Sequence, residues 1–321
     1  ADADADTDAV VTNGTLTIDA ATNAGSFIVL GADTTTDING DVLVNAGTGA
    51  NTVFTVAGTA NVAGDFNVAS GNTVTLSNTT TFDGGAAQTI TGGTNIAPAV
   101  VVSNTAGTVT ISGATTFGAA FTVNDGADVD ADNTLNVTGL VTVGTGASGT
   151  LDVAGASVLS AGLTVDTGAA ATFSNTLTVN AVVTTLTGTL NVTGAATLHT
   201  LTINDAATGN FDSTLDVTTG DLTVGGGATG ILTVDGALDV QATNLVIDDG
   251  ASATLLAALD VNGTTTVGMG TSGTLNVSGT STFTGTFGLD DGASFTGAAV
   301  NFNETATIGG GASGSLTLSG V

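Results

Sequence analysis

The sequence predicts an all-β protein: a parallel β-solenoid (β-helix) of about 20-residue coils, with a double-coil repeat of roughly 41–42 residues. Three observations lead there. The first is composition: 48 Gly against 1 Pro, 41% hydrophobic residues that are mostly Val, Leu, Ala and Ile, and 12 Phe as the sole aromatics. Val, Ile, Thr and Phe favour pleated, half-buried strands, and Gly, Asn and Asp favour tight turns. The second is alternation of apolar and polar residues in runs too short for helices. The third is repetition: TVGTGASGTLDVAG at 142–155 returns as TVGGGATGILTVDG at 223–236, TVGMGTSGTLNVSG at 266–279 and TIGGGASGSLTLSG at 307–320, with a shortened copy, VTTLTGTLNVTG, at 183–194.

The glycines Gly144, Gly146 and Gly149 have the spacing GxGxxG, which invites a dinucleotide-binding reading. Such a loop occurs once per site, opens a helix and needs an acidic residue about 20 positions on. Here the pattern recurs and another strand succeeds it each time, so the glycines are read as turn residues.

Within 150–189, inward-facing pairs are expected at Leu151 and Val153, Ser157 and Leu159, Leu163 and Val165, Ala171 and Phe173, Leu177 and Val179, and Val183 and Leu186. Six brief strands in one repeat make two coils of three strands. A coil cannot bury its own face, but stacked coils enclose a continuous aliphatic column. Aligned copies place Asp152, Asn191, Thr233, Asn276 and Thr317 in one outward column. The competing fold is a string of antiparallel sandwiches, which would show longer strands and more variable loops.

Taken in order, residues 1–14, ADADADTDAVVTNG, form an acidic arm that is a candidate strand donor to a neighbouring subunit. Residues 15–106 carry looser β repeats such as TVFTVAG, which continue or cap the solenoid, and residues 107–321 carry the regular ones. The units TLDVAG, TLNVTG, TLNVSG and SLTLSG resemble the Thr-, Val- and Gly-rich strand repeats of large bacterial extracellular proteins: autotransporter-type passenger solenoids, filament subunits and some surface-layer proteins. That resemblance implies a solenoid fold and a structural or surface role.

Charge narrows the partners. With 28 acidic residues, no Lys or Arg and a single His, the formal net charge is -28. Phosphates and anionic headgroups are repelled, so neither nucleic acid nor an anionic membrane is an expected partner. No run of apolar residues is long enough to insert in a bilayer. Side-chain salt bridges are essentially unavailable, leaving apolar burial and backbone hydrogen bonds to stabilise the fold. The start at Ala1 without Met gives the expectation of an exported, extracellular or cell-surface protein whose signal peptide is removed.

A second column lies half a repeat from the glycine turns: Asn124 and Asp125, Asp166 and Thr167, Asn204 and Asp205, Asp248 and Asp249, Asp290 and Asp291. Asp-Gly is first a turn, its carboxylate bonding nearby amides. Hard cations also want several carboxylate and carbonyl oxygens at once. The candidate calcium ligands are Asp125, Asp128, Asp130 and Asp132 in DGADVDAD, and Asp248, Asp249, Asp290 and Asp291 in the two DDGAS copies. No other cofactor is expected. His199 is expected on the surface, outward of Leu198. A polysaccharide lyase would want an Arg, Lys or Tyr, all absent, and a hydrolase convergent carboxylates, whereas repeated Asp pairs point to architecture.

The expected function is therefore that of a non-enzymatic structural subunit of an extracellular filament, sheath or surface layer, a homopolymer assembled end to end by β-strand pairing with divalent cations as candidate bridges. The alternative is a monomeric solenoid stalk or adhesin that displays a binding surface, with ice-binding and polysaccharide-active solenoids behind it.

Overall fold

The computed structural model describes residues 10–19, 27–30, 35–45, 53–69, 73–76, 78–91, 99–181, 184–226, 229–241, 243–270, 272–310 and 313–319. Asp2, Asp4, Asp6, Asp8 and Val183 lie outside them. The fold is an all-β parallel β-solenoid with about 21 residues per turn. Two compact units, residues 1–157 and 158–321, divide the chain.

A turn of the solenoid has three short strands, one on each of three faces. In residues 1–157, face 1 is the parallel ladder Val10–Thr12, Thr36–Ile38, Ala60–Val62, Thr80–Phe82, Val100–Val102, Phe121–Val123 and Val141–Val143. Face 2 runs through Leu16–Asp19, Val42–Asn45, Phe66–Val68, Gln88–Thr91, Val109–Ser112, Asp128–Ala131 and Thr150–Val153. Face 3 comprises Phe27–Leu30, Val53–Val56 and Thr73–Leu76, and then Thr115–Phe117 with Leu135–Val137.

In residues 158–321, face 1 runs Leu163–Val165, Thr184–Leu186, Leu201–Ile203, Leu222–Val224, Leu245–Ile247, Thr265–Val267, Phe287–Leu289 and Ala306–Ile308. Face 2 begins Ala170–Phe173, Thr189–Val192, Thr208–Phe211, Ile231–Val234 and Ser252–Leu255. Face 3 begins Leu177–Val179, Ala196–Leu198, Leu215–Val217, Leu238–Val240 and Leu259–Val261. In the next two coils one long strand, Thr274–Phe283 and then Ser294–Phe302, serves both faces, and Ser315–Leu318 ends face 2. All these ladders are parallel, which excludes antiparallel sandwiches.

Alternation within each strand decides what is buried. Leu151, Val153, Ser157, Leu159, Leu163, Val165, Ala171, Phe173, Leu177 and Val179 all point inward, as their spacing predicts. Leu186 is also buried, but its inward companion is Thr184, two residues away on the same strand face. Thr36, Thr80, Thr184 and Thr265 likewise face the core, and no hydrogen bond reaches their hydroxyls. Thr fills the volume of Val, so packing tolerates it, at a cost of about 1–3 kcal/mol for each enclosed hydroxyl left without a partner. Full burial of each Leu, Val, Ile or Phe offsets this by about 1.5–3 kcal/mol. Aromatic rings thicken the column locally: Phe283 and Phe287 lie 4.8 Å apart, and both contact Phe295 and Phe302.

The outward column is built from every coil rather than every second one. Asn191, Thr233, Asn276 and Thr317 are on one ladder, with Asn210, Thr254 and Thr296 between them. Asp152 stands opposite Asp130 in residues 1–157.

Candidate functional site

From residue 124 onward the corner between faces 1 and 2 has two designs that mostly alternate, and their alternation explains the double-coil repeat. One is a four-residue turn: Asn124-Asp125-Gly126-Ala127, Asp166-Thr167-Gly168-Ala169, Asn204-Asp205-Ala206-Ala207, Asp248-Asp249-Gly250-Ala251 and Asp290-Asp291-Gly292-Ala293. In each, the last residue's amide donates to the first residue's carbonyl at 3.0–3.2 Å. The third residue has positive φ, as a type II turn requires: 74° at Gly126, 71° at Gly250, and 60° at Ala206, where a Cβ makes this conformation strained.

The other design is the glycine loop of the next coil. Gly144, Gly225, Gly268 and Gly309 open these loops with φ of 67–80°. Their amides donate to the carbonyls of Val123, Ile203, Ile247 and Leu289 in the coil before. The carboxylate of the preceding turn then holds the loop. Asp125 Oδ1 accepts from the amides of Thr145 at 2.8 Å, Ala147 at 3.0 Å and Ser148 at 3.2 Å. Asp205, Asp249 and Asp291 accept in the same way from Thr229, Ser272 and Ser313 at 3.1, 3.2 and 3.0 Å. The clasp is mutual: the amide of Gly126 donates to the Ser148 carbonyl at 2.9 Å, that of Gly250 to the Ser272 carbonyl at 2.6 Å, and that of Gly292 to the Ser313 carbonyl.

The exception supports the rule. The coil with the shortened copy has only Thr187 and Gly188 at this corner, and both amides donate to the Val165 carbonyl. In the coil before it Thr167 replaces the clasping aspartate, because no loop lies above to be held.

These contacts show what the candidate calcium ligands do. Asp125, Asp249 and Asp291 clasp loops. Asp248 and Asp290 are first residues of turns, and burial, then the charges of Asp249 and Asp205, push the Asp248 carboxyl up from its usual value. Asp128 opens a face 2 strand and accepts from the hydroxyls of Thr108, at 2.7 Å, and Thr150. Asp130 points outward on that strand, and Asp132 is exposed just beyond it. Burial, then the charges of Asp132, Asp152 and Asp128, raises the Asp130 pKa. Asp125 differs: backbone amides, Thr145 first, then Ala147 and Ser148, hold it below the usual carboxylate value. Among the described residues, no three acidic or His side chains are grouped to hold a metal ion.

Two features escape the sequence reading. His199 is half-buried at a corner and its Nδ1 is enclosed without a hydrogen-bond partner, while its carbonyl accepts from the amide of Gly220 in the next coil at 2.8 Å. On face 3 of residues 158–321, Asp216, Asp239 and Asp260 stand in register in three successive coils. The signal for this column is the tripeptide LDV at 215–217, 238–240 and 259–261, which also occurs at 151–153 on face 2. Gln241 Nε2 donates to Oδ2 of both Asp216, at 3.0 Å, and Asp239, at 3.2 Å.

The comparisons with known proteins return no matching family model, no matching curated protein and no matching solved structure.

Proposed function

We propose that the chain is a non-enzymatic structural subunit of an extracellular filament, sheath or surface layer, joined end to end by β-strand pairing. The observation that carries this reading is the stacking itself: like coils are joined by in-register parallel ladders over an aliphatic core, as Leu245–Ile247, Thr265–Val267 and Phe287–Leu289 are. Coils of two copies can join by the same kind of ladder that joins coils within one, at about 1.5–3 kcal/mol for each large side chain buried. The extracellular setting rests on the resemblance of the repeats, and the acidic exterior would keep such polymers from clumping laterally.

Electron microscopy over a concentration series tests this. Fibres or sheets are expected from the unaltered chain, and their loss from the double variant Ile308→Asp, Leu318→Asp, which charges two exposed apolar side chains on ladder strands, with circular dichroism unchanged. Single molecules at every concentration would overturn end-to-end assembly and favour the monomeric stalk.

A further inference from the structure

We infer that the column Asp216, Asp239 and Asp260 is a proton-responsive seam: a proton taken up at Asp216 as pH falls removes its repulsion from Asp239 and tightens these coils. This inference does not depend on the assembly reading.

Register carries the argument. Asp216 faces Asp239 and Asp239 faces Asp260 across parallel strands, about 4.8 Å apart by ordinary strand spacing. Three ionised carboxylates at that spacing repel, and no Lys or Arg exists in the chain to offset them. The flanking ladder residues, Thr197 before and Thr282 after, are uncharged. The corner residues of these coils add only further acids, Asp212, Asp221 and Asp235, and His199 comes after Thr197 at the next corner of its coil. The amide of Gln241 serves one oxygen each of Asp216 and Asp239, while Asp216 Oδ1 is enclosed with no partner. A proton on Asp216 turns its repelling pair with Asp239 into a donor and an acceptor. Face 2 of the same unit shows the neutral equivalent, where Asn210 Nδ2 donates to Asn191 Oδ1 at 2.9 Å between adjacent coils.

Burial fixes the sign of the pH effect. It acts first, and the charge of Asp239 second, to hold the Asp216 carboxyl above its usual value. A group with a higher pKa folded than unfolded contributes stability that is full below the unfolded value and is lost as pH rises through the folded one. The contribution of Asp216 therefore grows as pH falls through its raised folded pKa, the reverse of ordinary acid denaturation.

Amide hydrogen exchange on the full chain at about pH 7.5 and about pH 3.5, below the unfolded carboxyl pKa, corrected for intrinsic rates, tests this on Val217, Val240 and Val261. The unaltered chain should open less often at the lower pH, by up to about tenfold for each unit of pKa displacement. Asp239→Asn and, as a second variant, Asp239→Thr should protect these strands at neutral pH and shrink the acid response. Glu304→Gln, which removes one exposed charge elsewhere, should leave the response intact. An acid response of equal size in both Asp239 variants and the unaltered chain, or weaker protection at neutral pH in both, would overturn the inference.

Discussion

At the corner of faces 1 and 2 the Asp125 carboxylate meets three backbone amides of the coil above; on face 3 Asp239 meets a carboxylate above and another below. The residue type is the same and so is the stacking, yet the corner carboxyl is held below its usual pKa while Asp216 in the column is held above it. In a solenoid the worth of a side chain is set by what the neighbouring coil presents at the same register. Amide dipoles stabilise a carboxylate without a counter-charge, which suits a chain that has no Lys or Arg.

The contrast can be broken most severely from the loop side. Gly225 has φ of 80°, and a Cβ there would lie 2.6 Å from the Ala251 Cβ, so Gly225→Ala should destabilise the fold by about 2–3 kcal/mol in denaturant unfolding. Removing a clasp comes next: Asp249→Ala strands the Ser272 amide and should cost about 1–2 kcal/mol, opposite in sign to Asp239→Asn. Acid should repeat that opposition within one molecule. The contribution of Asp125 is present above its unfolded pKa and is lost as pH falls through the lower folded one, so exchange at Thr145, Ala147 and Ser148 should quicken in strong acid. Ala206→Gly relieves a strained turn and should stabilise by about 0.5–1 kcal/mol in the same unfolding assay. Thr167→Asp supplies a clasp with no loop to hold, and the melting temperature should stay within the equivalent of about 0.5 kcal/mol of the parent.

Much of this architecture is legible in the residues alone. Strand periodicity and glycine turns give the solenoid, the three strands per coil and nearly every inward residue of 150–179. The period also announces that successive coils differ. Sequence spacing does not reveal that the Asp turn and the glycine loop share one corner, because they lie half a repeat apart along the chain and meet only once it has wound a full turn. Thr184 escapes notice because Thr and Val have the same shape and propensity, so strand phase alone decides which one enters the core. The carboxylate column is hidden because each LDV looks, by itself, like an ordinary amphipathic strand, and repulsion exists only between coils.

One last consequence concerns force. With about 21 residues per turn, each coil in either unit is bound by ladders to the coil before and the coil after, and the chain enters one side of a coil and leaves the other. Tension on the chain therefore falls on the outermost ladder first and peels turns away in succession, each freeing about 70 Å of extended backbone. Such a molecule yields in instalments and rewinds from whatever turns remain, so it behaves as a shock absorber rather than a strut.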